Sequence, residues 1–234
     1  MSRNAANASR RRLISFAFAA ALTAVVSASG FVAVQSSAFF AVASPTGLPG
    51  CAPDERSARH AAYEEWADTL LDPTFTLGED YVPPDLQPIG FGRPGLRLRS
   101  FVIGDLREMF AAARRDGVTL EITSAYRSYS DQVAVHRSLR RVHGAAYAAA
   151  YSARPGHSEH QLGTAVDIAG GDEWLKSHAW QFGFSLSYPA GRSPTWTCYS
   201  PESWHYRYFG RATAAAIQNS GLSPREWLWQ HSSG

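Results

Sequence analysis

Two polar clusters carry the residue types that hydrolytic chemistry needs. The first runs Ser152-Ala-Arg-Pro-Gly-His-Ser-Glu-His160-Gln-Leu-Gly-Thr-Ala-Val-Asp167, and the second is Glu202-Ser-Trp-His205. His160, Asp167 and His205 offer two imidazoles and a carboxylate to a metal, and Glu202 is a carboxylate to spare. A hydrolytic zinc site has three protein ligands and one open position for water. It also needs a base that reaches the water without binding the metal, and Glu202, just before His205, suits that role. The hydroxide so formed would attack a carbonyl, and the protonated Glu202 would hand its proton to the leaving amine. The resulting oxyanion calls for a cation. Arg127, in Ser124-Ala-Tyr-Arg-Ser128, is the best-placed arginine.

By spacing alone the H-x6-D and E-x2-H patterns are weak signals, and each residue has an ordinary structural reading beside the chemical one. Arg127 is open to a structural ion pair. His60, His136, His143, His178 and His231 read as surface or core residues. His157 has helical spacing to His160, but Pro155-Gly156 argues against a helix, so it is expected to support a ligand or face substrate. Glu159 reads as a salt-bridge partner that orients a ligand. Tyr206, Tyr208, Trp196 and Trp204 read as sheet packing.

Several elements must position these residues. Apolar spacing predicts helices over 54–71 and 100–115, the second ended by Gly117. Prolines and glycines between 74 and 95 predict an extended arm. Alternation at 119–124 predicts a strand leading to Arg127. Ser128 with Asp131 is a capping box for a helix to about Val142, and a short alanine-rich helix follows over 145–151. Further strands are predicted over 163–169, 184–188 and 204–209. A helix capped by Asp172 runs to Gln181 before Gly183, a Pro/Gly loop leads to Pro201, and helices over 212–219 and from Ser223-Pro224 close the chain. Short strand connections point to an α+β fold with a small, mainly antiparallel sheet flanked by helices and the zinc site in a cleft on it.

The chain of 234 residues has room for one ordinary domain and a targeting segment. Arg10-Arg11-Arg12 precedes an uncharged run from Leu13 to Val34, and Ala41-Val42-Ala43 fits a small-x-small cleavage site. Residues 1–43 therefore read as an export signal or an uncleaved membrane anchor, 44–53 as a linker, and 54–234 as the working domain. Either way the domain is expected outside the cytoplasmic membrane, secreted or wall-associated, touching the membrane only through that segment. Cys51 and Cys198 are the two cysteines, and in an exported chain they form one disulfide or stay as two thiols. The net charge of +2, with no basic block in the domain, gives nucleic-acid binding no support. A monomer is expected.

The segments Ser124-Ala-Tyr-Arg-Ser-Tyr-Ser-Asp-Gln132, Pro155-Gly-His-Ser-Glu-His-Gln-Leu-Gly-Thr-Ala-Val-Asp167 and Glu202-Ser-Trp-His-Tyr-Arg-Tyr208 resemble the VanY-type zinc D-alanyl-D-alanine carboxypeptidases, a group that also holds L,D-carboxypeptidases of the same fold. The likeness extends through Asp80 to Leu86 and Gly221 to Glu226, with the three signatures in the family's order. It implies Zn2+ on His160, Asp167 and His205, Glu202 as general base, Arg127 on the oxyanion, and Gln132 and Ser158 lining the substrate pocket. Ser203 stands where relatives often have proline. The implied substrate is the peptidoglycan stem peptide, cut to release its C-terminal D-alanine. The alternatives are an L,D-carboxypeptidase acting on tetrapeptide stems, an endopeptidase, and a wall-binding module without activity, for which Glu202 would have no use. A purely structural zinc is the last, and such sites usually have four protein ligands.

Overall fold

The structure, a computed structural model, describes residues 47–58 and 66–231. The expected signal or anchor segment lies outside these residues, as do positions 59–65 of the helix expected at 54–71. The described flanks of that helix differ from the expectation. Arg56–Ser57 is a strand, β1, and 66–68 is a turn. Tertiary pairing overrides local periodicity here, because β1 lies parallel to β2 (Phe75–Thr76) and Arg56 N–H donates to the Thr74 carbonyl at 3.1 Å. The Asp72 carboxylate accepts from the amides of Thr74 and Phe75 and turns the chain into β2.

The arm from 74 to 95 carries β2 and β3 (Leu86–Pro88), and β3 pairs antiparallel with β4 (Arg97–Arg99). Helix α1, Ser100–Arg115, follows with Val102, Leu106, Met109 and Ala113 buried on one stripe. It packs on a four-stranded antiparallel sheet whose order is β5-β6-β8-β7. These strands are β5 (Glu121–Ser124), β6 (Ala165–Ala169), β7 (Phe184–Leu186) and β8 (His205–Tyr208). Their inner face sends Ile122, Val166, Ile168, Phe184, Tyr206 and Tyr208 into the main core. With a side-chain period of two, the alternate residues Asp167, His205 and Arg207 face the other side.

Helix α2 spans Tyr129–His143, with the capping box formed on both sides by Ser128 and Asp131. Helix α3 spans Ala145–Tyr151. Helix α4, Asp172–His178, starts differently from the expectation. Its cap is Gly171, in the left-handed region at φ 65°, and Asp172 sits inside the first turn, where its charge favours the helix dipole. A separate 3-10 turn, Ala179–Phe182, carries the chain to Gly183 at φ 87°. The loop before Pro201 contains one helical turn, α5 (Pro194–Thr197). Helices α6 (Arg211–Ser220) and α7 (Pro224–His231) close the fold, and Ser223 and Glu226 bond reciprocally at the start of α7. Cys51 and Cys198 are joined as a disulfide, with Cα atoms 5.3 Å apart. It ties the start of the domain to the loop that leads into Glu202. Arg225 reinforces that tie, bonding the Asp72 carboxylate and the carbonyls of Pro49 and Trp196.

Candidate metal centre and active site

Strand register builds the centre. Ser124 of β5 pairs with Asp167 of β6, and Asp167 pairs with His205 of β8, so three adjacent strands present one row of side chains on the cleft face. The 3-10 turn Glu159–Leu162 delivers His160 to the same place, and Gly163 ends that turn at φ 71°. A side chain at 163 would stand 3.0 Å from Arg99 and Leu86, so glycine is required for space as well as for backbone angle.

The ligating atoms of His160, Asp167 and His205 lie within 4.8 Å of one another. His205 Nδ1 is 3.0 Å from Asp167 Oδ1, and His160 Nε2 is 3.3 Å from Asp167 Oδ2. Ligands about 2.0–2.1 Å from a tetrahedral zinc stand about 3.3 Å apart, so the cluster is at the right scale. The outer nitrogens decide the fit. His160 Nδ1 is 2.7 Å from the Ala125 carbonyl, which can only accept, so Nδ1 carries the proton and the Nε2 lone pair faces the cluster. His205 Nε2 is 3.0 Å from Glu159 Oε2, which leaves Nδ1 to face inward. Both imidazoles are thus oriented as metal ligands are, by an acceptor behind each ring. These three residues can hold a metal ion.

The same groups also interact strongly through charge. Burial opposes the charge on Asp167, yet His160 and His205 hold its carboxyl well below the usual range. Burial would lower His205, but hydrogen bonds and charge from Asp167 and Glu159 outweigh it and raise the imidazole to about 10. Burial lowers His160, with the Arg127 charge adding to it and Asp167 pulling the other way. Glu159 is buried, but Arg207 and His205 overcome that burial and bring its carboxyl down to about 2. Its Oε1 accepts from Arg207 Nη1 at 3.0 Å, and its Oε2 accepts from Ser187 at 2.6 Å. Glu159 is both the salt-bridge partner and the support for a ligand.

Glu202 stands one turn before β8. Its carbonyl accepts from His205 N–H at 3.4 Å, and its own N–H donates to Tyr188 at 3.0 Å. Among the described residues its carboxylate has no hydrogen-bond donor, and it faces the same cleft as the three clustered ligands. Burial raises it to about 7, with Asp167 and Glu159 adding and with His205 and Arg127 opposing. A carboxylate that ionises near neutrality beside a metal centre can accept a proton from water and return it.

Arg127 also faces the cleft, 3.9 Å from Asp167 Oδ2. Its Nη1 donates to Gln132 Oε1 at 2.8 Å and its Nη2 to Ser124 Oγ at 2.9 Å. Gln132 is in turn anchored through Nε2 to the Ala153 carbonyl at 2.7 Å. The strand end, the capped helix and the chain before Pro155 therefore fix one guanidinium between them. With Arg127 on the oxyanion as the resemblance implies, Gln132→Ala should cost roughly ten- to a hundredfold in kcat with a smaller change in KM, because a misaimed Arg127 would lose most in the transition state. Steady-state kinetics of the variant checks this, and a pure KM effect would assign Gln132 to substrate binding alone.

Ser158 is buried and lines the cleft with the other predicted residues. His157 does not join them. Its Nδ1 is 2.7 Å from the Asp72 carbonyl, so the ring points into the domain. Trp204 departs from its sheet-packing expectation, since it is 42% exposed at the cleft. Trp196 lies on the helical turn α5 and not in the sheet. Tyr188, Tyr199 and Tyr151 also line the cleft and carry no motif that marks them. Their signal in the sequence is only their aromatic type in loops flanking the second motif and at the end of a helix.

A family model described as VanY, D-alanyl-D-alanine carboxypeptidase, matches residues 95–211, which contain every predicted site residue. The chain belongs to the VanY family. This VanY-family chain is 38% identical over 184 residues to a D-alanyl-D-alanine carboxypeptidase of Enterococcus faecalis, covering 70% of this chain and 66% of that protein. It is 33% identical over 138 residues to YodJ of Bacillus subtilis, covering 53% of this chain and 50% of that protein. It thus spans half to about two thirds of the length of these curated relatives. Among solved structures, VanYB in complex with D-alanine-D-alanine has a TM-score of 0.64 at 31% identity, over 71% of this chain and 99% of that one. A mutant of the vancomycin-resistance D,D-pentapeptidase VanY, in complex with Zn(II), has 0.63 at 32% identity, over 70% and 99%. The LdcB LD-carboxypeptidase has 0.62 at 29% identity, over 68% and 84%.

Proposed function

We propose that this chain is a zinc-dependent carboxypeptidase that removes the C-terminal D-alanine from peptidoglycan stem peptides. The observation that carries the reading is the meeting of His160, Asp167 and His205 with Glu202 and Arg127 in one cleft of a VanY-family chain. Bound zinc would supply Lewis acidity, polarising the scissile carbonyl and acidifying the attacking water. His160, Asp167 and His205 would hold it. Glu202 takes the proton from water and passes it to the amine of the departing D-alanine. Arg127, held by Gln132 and Ser124, faces the oxyanion of the tetrahedral intermediate. Glu159 keeps His205 in its ligating orientation, and Ser158, which lines the cleft, is available to the substrate. The apolar run of 13–34, read as an export signal or a membrane anchor, would put the reaction outside the cytoplasmic membrane, and the Cys51–Cys198 disulfide supports an oxidising location.

The likeness to LdcB, nearly equal to that for the VanY structures, favours an L,D-carboxypeptidase as the second reading. Stem pentapeptide and tetrapeptide, incubated separately with the zinc-loaded protein, separate the two. Release of D-alanine from the pentapeptide, at least tenfold faster than from the tetrapeptide, is expected. The reverse ratio establishes the L,D reading, and release from neither defeats both.

A further inference from the structure

The cleft has a volume of about 140 Å³. A stem pentapeptide, at up to about 3.3–3.6 Å per residue, is longer than a cleft of this size, so part of a wall-borne substrate would lie outside it. Two large exposed aromatic side chains stand at that opening, and a third stands beside one of them. Tyr151 and Trp204 both line the cleft yet are 39% and 42% exposed, and Tyr147, one turn before Tyr151, is 41% exposed. The rings of His143, Tyr147 and Tyr151 follow one another at centroid distances of 4.5 and 4.6 Å, forming a ladder along the end of α2 and the length of α3. Helix α3 is unlike an ordinary surface helix. Its sequence is AAYAAAY, Ala148 is its one buried residue, and its outward face carries no charge or amide. Polar residues normally occupy such a face, and an exposed apolar patch beside a catalytic cleft marks a binding surface.

We propose that Tyr147, Tyr151 and Trp204 form a platform for the sugar end of a glycan-linked stem peptide, taking N-acetylhexosamine rings against their aromatic surfaces. This rests on the carboxypeptidase reading above. The chemistry suits the surface: a pyranose presents an apolar C–H face to an aromatic ring, while its hydroxyl and amide groups stay in water. The platform also has the right place, since it begins inside the cleft at Tyr151 and runs outward along α3. A stem peptide held by its C-terminus at the metal would have its sugar-bearing end outside.

The test uses the full-length, zinc-loaded protein and two substrates, a free stem pentapeptide and the same pentapeptide on its N-acetylglucosamine–N-acetylmuramic acid disaccharide. For the wild type, KM should be roughly five- to tenfold lower on the disaccharide form, the size expected of one or two ring contacts. Tyr147→Ala should erase that difference with kcat unchanged, and Tyr147→Phe should keep it, since only the ring is needed. In parallel, calorimetry should show the N-acetylglucosamine tetramer binding to wild type and to Tyr147→Phe but not to Tyr147→Ala. Equal KM values on the two substrates in the wild type, without tetramer binding, overturn the proposal. Equal binding of cellotetraose overturns the assignment to N-acetylated sugars, and a dimer lost in Tyr147→Ala without change in sugar binding assigns the patch to a second copy instead. If neither substrate releases D-alanine the carboxypeptidase reading fails by itself, and the tetramer titration still decides the platform.

Discussion

Glu202→Gln is expected to lower kcat/KM on a stem pentapeptide by roughly a hundred- to ten-thousandfold, the usual worth of a positioned general acid–base. Zinc content should not change, because Glu202 is outside the ligand cluster. The amide has nearly the same shape, so the loss isolates proton transfer from packing. Burial raises the Glu202 carboxyl to about 7, and the proposed base must be ionised to act, so activity should fall as pH drops through its pKa. A dication on the nearby ligands favours the carboxylate, which moves the acidic limb of the kcat/KM profile below 7. The variant should lack that limb. Equal kcat/KM for wild type and Glu202→Gln at neutral pH would remove Glu202 from the mechanism.

Arg207→Met carries the second large effect, on stability and metal affinity. Arg207 is fully buried, donates to Glu159 through Nη1 at 3.0 Å, and satisfies the carbonyls of Trp66, Ala67 and Thr69 through Nη2. Removing one member of a buried pair leaves the other charge uncompensated and costs about 3–5 kcal/mol. Glu159 would then regain protons at higher pH and hold His205 less firmly, so zinc affinity should fall roughly ten- to a hundredfold. Urea unfolding in chelator gives the first number and competition with a zinc indicator gives the second. Adding Glu159→Gln to Arg207→Met should recover part of the stability, because no unpaired charge remains. Unchanged unfolding midpoints would mean that the pair is not what orders this part of the fold.

Much of the site is legible from residue type and order. His160, Asp167, His205, Glu202, Arg127, Gln132 and Ser158 all border one cleft, and the strand that carries His205 follows from plain alternation at 204–209. What periodicity cannot carry is direction across the fold. His157 has the spacing of a ligand, but the Pro155-Gly156 turn sends it to the Asp72 carbonyl, a contact between positions 85 apart. Trp204 alternates like a buried strand residue, but it stands in the turn before β8 and faces outward. Arg56–Ser57 lies inside a helical pattern, yet pairing with β2 makes it a strand. Arg207 gives no local sign of importance. Its role comes from meeting Glu159 and three backbone carbonyls of a distant segment, and long-range contacts of that kind have no period to read.

The central claim is that His160, Asp167 and His205 hold the zinc on which D-alanine release depends. It is tested most directly by measuring bound zinc and D-alanine release together, as metal-free protein is titrated with zinc. Activity on the pentapeptide should rise in proportion to bound metal and level off at one zinc per chain, while His205→Ala should neither retain the ion nor release D-alanine. Full activity in the metal-free protein, or one tightly bound zinc retained by His205→Ala, would contradict the account.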